Sequence, residues 1–456
     1  MALVHADAVE QHGQMEHYVP IPLVLRLVTN IAAVLVFACR VAVAFADDSE
    51  SAFAGALRYT VKVETSIRLP LYADDTKGVF VGAGFLVDGN RGWFMTNLHV
   101  ASRSPAKIRV IRQGADPAPA RRIWLDPYLD LAILEVSDRK FIGGMLAASL
   151  GCENFPPVGH AVGAFGYPWD LPLTATRGII SGRSDLYENG ALLTDAPINS
   201  GNSGGPLISF STGKVVGINT AALQGEGIQN LNFAVAMKYA CGVLRLLQQG
   251  RDPSPPSANL VFMSGPDDEP LTVARNYMGK EYIRLESGDL LQEVVGDPGP
   301  LTSEADLVHA LRGRLNAAKL AVERGESDLF IAGAFPPAEN LLKRRGVFTS
   351  GVMFIERRPF DEREVNFGAI STCYIEPGTA AQSAGIGKCD TVESIDGEAV
   401  QNLNQVYLGL SEALHEKRTA LLELKRLVGP QGRSFFSYFG VSLPVDGLRW
   451  VDVTDE

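Results

Sequence analysis

The chain has 456 residues, more than one compact core ordinarily holds, which predicts about two or three domains. Hydrophobic residues make up 46% of it and charged residues 20%, the proportions of a globular protein. The formal net charge is -11 and no basic run is present, which argues against a nucleic-acid-binding protein. The 46 glycines and 26 prolines favour many short strands and turns over long helices.

The N-terminus has the pattern of an export signal. An apolar stretch follows Arg26, and small residues at Ala44 and Ala46 fit the rule for signal-peptidase cleavage. This predicts a signal peptide over residues 1–46 and a periplasmic or secreted protein. The alternative is a membrane anchor that stays uncleaved, which is disfavoured because Arg40 interrupts the apolar stretch.

Four cysteines follow the predicted cleavage site, and an exported chain can oxidise them. Three pairings are possible, and the sequence does not choose among them. The alternative is that all four are isolated buried thiols. The cysteines concerned are Cys152, Cys241, Cys373 and Cys389.

Residues 56–249 alternate short apolar runs with Gly, Pro, Asn and Asp. Such a pattern predicts a closed antiparallel β structure. Apolar residues at helical spacing predict one helix at the end of this region, over residues 236–249. The proline-rich stretch 250–257 then has the composition of a linker.

Residues 258–345 and 346–445 form two smaller modules, each with predicted strands followed by one helix. The first helix is predicted over residues 304–312, where Ser303 precedes it with an acidic residue three positions on, as in a capping box. The second is predicted over residues 403–416. Because the two helices follow similar strand segments at matching places, the sequence suggests a duplicated unit.

The clearest chemical motif is the glycine-rich segment 201–207 around Ser203. Peptide hydrolysis by serine requires an exposed hydroxyl beside backbone N–H donors that stabilise the oxyanion. Flanking glycines allow the backbone to turn so that the hydroxyl and the donors face one point. We therefore predict Ser203 as the nucleophile and the N–H groups of Gly201 and Ser203 as the oxyanion hole.

A histidine and an aspartate upstream complete this interpretation. His99 ends a β-like run, and Asp130 opens an apolar strand, where burial would be costly without a hydrogen-bonding partner such as an imidazole. The order His, Asp, Ser is that of chymotrypsin-type barrels. Asp126 is the rival acid, but it precedes a proline and is typical of a turn, so its replacement is expected to have little effect on activity.

The three segments resemble those of the HtrA/Deg family of trypsin-like peptidases. The resemblance covers about residues 75 to 240 and implies a mainly β chain with a chymotrypsin-like double β-barrel protease domain. It further implies a substrate pocket and a trimer-based oligomer that acts on misfolded envelope proteins without a metal or cofactor. The supporting segments are 82–85, 164–168, 176–181, 194–199 and 216–220, and the pocket residues are Ile198, Gly217, Ile218 and Asn219.

The two C-terminal modules resemble small α+β PDZ-like domains, the second more closely than the first. PDZ domains bind peptide C-termini by adding a strand to a sheet edge. The corresponding carboxylate-holding segment in the second module would contain Gly351, Val352, Met353 and Phe354. Cys389 departs from the pattern, which usually has glycine there. The alternative is that both modules are spacers or assembly surfaces.

Two other functions remain open at this point. One is an exported chaperone or peptide-sensing scaffold in which proteolysis is dispensable. The other is a processing protease that cuts a single partner. An intact triad disfavours a purely binding role, but the sequence does not separate broad from narrow proteolysis.

Overall fold

The structure is a computed structural model that describes residues 50–184, 190–222, 231–257, 259–263, 270–297, 299–357, 368–429 and 435–455. The predicted signal peptide or anchor lies outside these residues. Among the described residues, no helix has the length and apolar character needed to cross a membrane.

Two closed six-stranded barrels form the first part of the fold. A helix over residues 50–56, α1, precedes them. The first barrel has the strand order β1-β2-β3-β6-β5-β4, and the second has β10-β11-β12-β9-β8-β7. This confirms the double-barrel fold expected from the sequence. The strands are β1 Thr60–Ile67, β2 Gly78–Asp88, β3 Trp93–Asn97, β4 Ala106–Ile111, β5 Ala118–Asp126, β6 Leu131–Glu135, β7 Ala161–Gly166, β8 Thr174–Ser184, β9 Ala191–Thr194, β10 Pro206–Ser209, β11 Val215–Ala222 and β12 Asn232–Ala236.

Alternating burial explains why these segments close into barrels. Strand β4 alternates buried and exposed positions, so one face fills the barrel and the other meets solvent. Strand β6, which lies between β3 and β5, is buried almost throughout. Short helices α2 Leu98–Ala101 and α3 Arg139–Ile142 and a 3-10 turn Pro168–Asp170 connect strands, and helix α4 Met237–Gln248 follows the second barrel.

The first C-terminal module contains a two-stranded sheet, a three-stranded sheet and one main helix. That helix, α5, begins after Ser303, whose hydroxyl accepts the N–H of Asp306, so the predicted cap is confirmed. The elements are β13 Leu260–Phe262, β14 Val273–Asn276, β15 Leu290–Val294, α5 Glu304–Leu311, β16 Ala318–Arg324 and β17 Ser327–Gly333, with a 3-10 turn Leu315–Ala317.

The second module is a larger sheet with the order β24-β23-β21-β20-β19-β18-β25, from which β22 extends as a partner of β21. A 3-10 turn Leu341–Lys343 precedes it. The elements are β18 Arg345–Thr349, β19 Val352–Glu356, β20 Ile370–Ile375, α6 Ala380–Ser383, β21 Thr391–Ile395, β22 Glu398–Ala399, α7 Leu403–His415, β23 Thr419–Val428, β24 Phe435–Pro444 and β25 Arg449–Asp452.

The two modules share an internal ion pair at the same place in their folds. Arg324 binds Asp289 with Nε 2.6 Å from Oδ1, and Arg426 binds Asp390 with the same two atoms at 2.6 Å. Both aspartates are fully buried and both precede the strand that leads towards the main helix. This shared arrangement supports the duplication that the sequence suggested.

Strand β19 contains most of the segment for which the sequence predicted peptide binding. Both of its edges are already hydrogen-bonded, one to β18 and the other to β20. Val352, Met353 and Phe354 are fully buried, and Gly351 turns the chain between β18 and β19 with a φ of +91°. Peptide addition at β19 stays a prediction, and it requires either β18 or β20 to leave the edge of β19.

Two of the four cysteines form a disulfide and two are free thiols, so the structure has neither a complete pairing nor four isolated thiols. Cys152 and Cys241 form a disulfide that ties α4 to the segment before the second barrel. Cys373 is a buried free thiol whose pKa is raised by burial, and Cys389 is an exposed free thiol with a φ of +65°.

Candidate active site

His99, Asp130 and Ser203 lie together although they come from three separate segments. His99 is on the one-turn helix α2, Asp130 directly precedes β6, and Ser203 lies in the turn between β9 and β10. The first two belong to the first barrel and the third to the second. The site therefore lies where the two barrels meet.

Asp130 contacts both the backbone and the ring of His99. Its Oδ1 accepts the backbone N–H of His99 at 2.9 Å, and its Oδ2 lies 2.7 Å from Nδ1 of the imidazole. The backbone carbonyl of Asp130 also accepts the side-chain amide of Asn97 at 3.0 Å. These contacts fix the ring orientation through Nδ1, which makes Nε2 the nitrogen that would take a proton.

The electrostatic effect of Asp130 on the imidazole has a definite sign. Partial burial lowers the pKa of His99, but the hydrogen bond and negative charge of Asp130 outweigh it, so the pKa lies above its ordinary value. The His99 side chain is 48% exposed, so solvent and a substrate can both reach it.

Contacts with both barrels hold Ser203 in place. Its backbone carbonyl accepts the N–H of Ala83 in β2 at 2.7 Å, which ties the serine turn to the first barrel. Gly201 has a φ of +98°, and a side chain there would collide with the carbonyl oxygen of Tyr167. Gly204 has a φ of +83° and is crowded by Ala83 and Thr96. Only glycine fits these two positions without strain.

Among the hydrogen bonds of the described residues, the N–H groups of Gly201 and Ser203 have no acceptor. The neighbouring N–H groups are occupied, since Asn202 donates to Asn199 at 2.9 Å and Gly204 donates to Asn219 at 2.8 Å. The two N–H groups predicted as oxyanion donors are thus available to a ligand.

Thr220 is a site residue that the sequence interpretation did not single out. Its hydroxyl donates to Oδ2 of Asp130 at 2.8 Å, the oxygen that also contacts His99. Its carbonyl oxygen accepts the hydroxyl of Ser203 at 2.7 Å. The sequence pointed to Thr220 only as the last residue of segment 216–220, which resembles the pocket wall of the family.

The four predicted pocket residues are all buried. Ile198 is 5% exposed and Ile218 is fully buried, and both belong to the core shared by the barrels. The side-chain amide of Asn219 donates to the carbonyl oxygens of Phe165 at 3.0 Å and Pro206 at 3.3 Å. Asn219 therefore stabilises the barrel.

Asp126 lies at the buried end of β5, four residues before Asp130. Its Oδ1 accepts the N–H groups of Tyr128 and Leu129, both at 3.1 Å, as expected of a turn residue. Its Oδ2 also lies 2.6 Å from the guanidinium of Arg312, and both side chains are almost completely buried. The ion pair was not predicted, and it gives Asp126 a structural role beyond the turn. The expectation that replacing Asp126 has little effect on activity stays a prediction.

The described residues contain no group of three or more His, Cys, Asp or Glu side chains placed to hold a metal ion. The chemistry available at the site is that of a hydroxyl, an imidazole, a carboxylate and two backbone N–H groups. This is the set used for nucleophilic acyl transfer.

Comparisons with known proteins agree with the fold. Residues 82–218 match the trypsin-like peptidase domain. The chain is 35% identical over 181 residues to the serine endoprotease DegS of Salmonella typhimurium, a match that covers 38% of this chain and 49% of that relative. The chain therefore spans about half the length of this curated relative.

Two further similarities extend beyond the barrels. A probable periplasmic serine endoprotease, DegP-like, of Pseudomonas fluorescens is 27% identical over 392 residues, covering 79% of each chain. The solved structure of the HtrA-type protease AlgW with tripeptide has a TM-score of 0.50 at 22% identity, covering 63% of this chain and 96% of that chain. The structural likeness is one of fold.

Proposed function

Because the chain belongs to the HtrA/Deg family of trypsin-like peptidases, we propose that it is a serine endopeptidase with Ser203, His99 and Asp130 as its catalytic triad. The observation that carries the proposal is the convergence of these side chains where the barrels meet, with Asp130 2.7 Å from the imidazole of His99. An imidazole so oriented is a suitable base for a serine hydroxyl.

In the proposed mechanism, the hydroxyl of Ser203 rotates towards Nε2 of His99 and attacks the scissile carbonyl carbon. His99 takes the serine proton and then donates it to the leaving amine, while Asp130 holds the tautomer and stabilises the imidazolium. The N–H groups of Gly201 and Ser203 stabilise the oxyanion, and water completes the cycle by hydrolysing the acyl-enzyme.

Digestion of an unfolded protein such as casein tests this proposal. The wild type should cut casein and form a covalent adduct with a fluorophosphonate, whereas Ser203→Ala should retain its thermal unfolding temperature and lose cleavage by on the order of a million-fold. Undiminished cleavage by the variant would exclude Ser203 as nucleophile. A folded wild type with neither activity would favour the chaperone or scaffold alternative.

The substrates and location follow from the relatives rather than from the site. The DegP-like relative is named as periplasmic, and we place this chain in the same compartment, where it would act on unfolded envelope proteins as a trimer-based oligomer. The disulfide between Cys152 and Cys241 supports an oxidising location. Mass spectrometry of cut sites would distinguish broad cleavage from a single processing event.

Regulation by peptide C-termini belongs to the same proposal. A peptide that displaces β18 from β19 would bind the second module by strand addition. Binding changes activity only if the active arrangement holds the peptide more tightly than the resting one. Reporter hydrolysis measured against a library of peptide C-termini tests this, and equal rates throughout would leave the module as a spacer or assembly surface.

A further inference from the structure

The turn that presents Asp130 to His99 is held from outside the barrels. Asp130 itself has a φ of +51°, in the left-handed region that a non-glycine residue adopts only when its surroundings impose it. The three residues before it form the turn, and two of them donate backbone N–H groups to Oδ1 of Asp126 at 3.1 Å. The position of Asp130 therefore depends on that of the Asp126 carboxylate.

The Asp126 carboxylate is in turn bound by the first C-terminal module. Arg312 directly follows helix α5, and its guanidinium makes two hydrogen bonds to Asp126, at 2.6 and 3.3 Å. A third, at 2.6 Å, reaches the carbonyl oxygen of Pro253 in the linker. Because a planar guanidinium binds a carboxylate at a defined angle, these contacts orient Asp126 as well as neutralise it.

A ring contact beside the ion pair reinforces the same interface. The imidazole of His309 stacks on Tyr239 of α4 at 3.7 Å, and its edge meets Tyr128 of the turn at 5.7 Å. Burial, followed by the charges of Arg312 and Lys238, holds the pKa of His309 well below its ordinary value. The ring is therefore neutral, and its Nδ1 accepts the Nε–H of Arg312 at 3.2 Å.

We propose that Arg312 is a positioning residue for Asp130, so that the first C-terminal module completes the active site of the barrels. Arg312 would orient Asp126, Asp126 would hold the turn that follows it, and the turn would place Asp130. The module itself would not contact the substrate. This inference rests on the proposed function, because it assigns to Asp130 the role of catalytic acid.

The test compares Arg312→Gln and Arg312→Lys with the wild type on a peptide reporter, with rates normalised to sites titrated by fluorophosphonate. Arg312→Gln should lower kcat roughly 10- to 100-fold and leave KM nearly unchanged, because a misplaced group costs catalysis rather than binding. Arg312→Lys keeps the charge and one hydrogen bond, so its kcat should lie between those of Arg312→Gln and the wild type.

The pH profile distinguishes positioning from simple destabilisation. Among the described residues, Asp130 is the charged group that acts on the imidazole of His99. If Asp130 moves away, the pKa of His99 falls, and the acid limb of kcat/KM should shift to lower pH by roughly half a unit. A smaller fraction of folded enzyme would lower the measured kcat/KM at every pH and leave the pH midpoint of the acid limb unchanged.

Arg324→Gln is the matched control, since it breaks an ion pair with the buried Asp289 inside the same module. It should lower stability and leave the acid limb at the wild-type pH. Wild-type kcat and pH midpoint in Arg312→Gln would overturn the inference. If instead the wild type neither cleaves casein nor reacts with the fluorophosphonate, the proposed function fails first.

Discussion

The hydroxyl of Ser203 donates to the carbonyl oxygen of Thr220 at 2.7 Å. Thr220 also donates its own hydroxyl to Asp130 at 2.8 Å, so one residue contacts both the predicted nucleophile and the predicted acid. Since attack requires the serine proton to pass to His99, the Ser203 side chain must first turn away from Thr220.

Thr220→Val tests the contribution of the threonine hydroxyl. The substitution keeps the backbone carbonyl and removes one hydrogen bond to a carboxylate, an interaction worth about 1.5–3 kcal/mol. We expect kcat to fall roughly 10- to 100-fold as Asp130 loses this orientation. Thr220→Ser retains a hydroxyl and should remain close to wild type in the same steady-state assay. Equal activities in the two variants would show that the hydroxyl does not matter.

Asp130→Asn should reduce kcat roughly ten-thousand-fold, because the amide favours the wrong tautomer of His99. The base is the neutral imidazole, so wild-type activity rises with pH, with a midpoint above the ordinary histidine value because the pKa of His99 is raised. Removing the charge of Asp130 should move the residual acid limb to lower pH. The measurement is kcat/KM against pH with a sensitive fluorogenic peptide.

Asp126→Asn is the contrasting variant in that experiment. It strips the buried Arg312 of its charged partner, which costs about 3–5 kcal/mol of stability in comparable buried pairs. Its activity should remain far above that of Asp130→Asn. Activities in the reverse order would identify Asp126 as the catalytic acid.

Specificity should reflect the apolar environment of Ile198. No charge is present at this position to pair with Lys or Arg, and burying an unpaired cation would be costly, so we expect cleavage after Ala and Val. Ile198→Ala should enlarge the site and raise kcat/KM for Leu relative to Val reporters by about tenfold. Ile108→Ala, a similar truncation in the first barrel where Ile108 is 4% exposed, should leave that ratio unchanged. A dominant preference of the wild type for Lys or Arg would refute the assignment.

The disulfide should contribute substantially to stability. It joins residues separated by 89 positions, and closing a loop of that size is worth roughly 4 kcal/mol. Replacing both Cys152 and Cys241 by Ser should lower the urea midpoint by a corresponding amount and remove any further effect of a reductant. Cys389→Ser, at the exposed free thiol, should unfold like the wild type. A reductant effect that persists in the double variant would show that another pair of cysteines is linked.

Much of the fold was predictable because its signals are local. Short apolar runs separated by Gly, Pro, Asn and Asp indicated the strand-rich barrels, and helical spacing placed α4 within a residue or two of Met237–Gln248. The cap of Ser303 on Asp306 depends only on neighbours three positions apart. The glycine-rich motif around Ser203 was visible in the sequence, although Gly201 and Gly204 are crowded by Tyr167, Ala83 and Thr96 of other segments.

Partner choice between distant segments was decided only by the tertiary structure. Asp126 and Arg312 are 186 positions apart, and the local sequence around either residue does not predict the other as its partner. The local sequence likewise did not predict that Cys152 pairs with Cys241. Nor did it predict that strand β18 pairs with β19, at the segment where the sequence predicted a peptide. Local sequence determines which conformation a segment prefers, whereas these pairings depend on which surfaces the folded chain brings within reach and buries together.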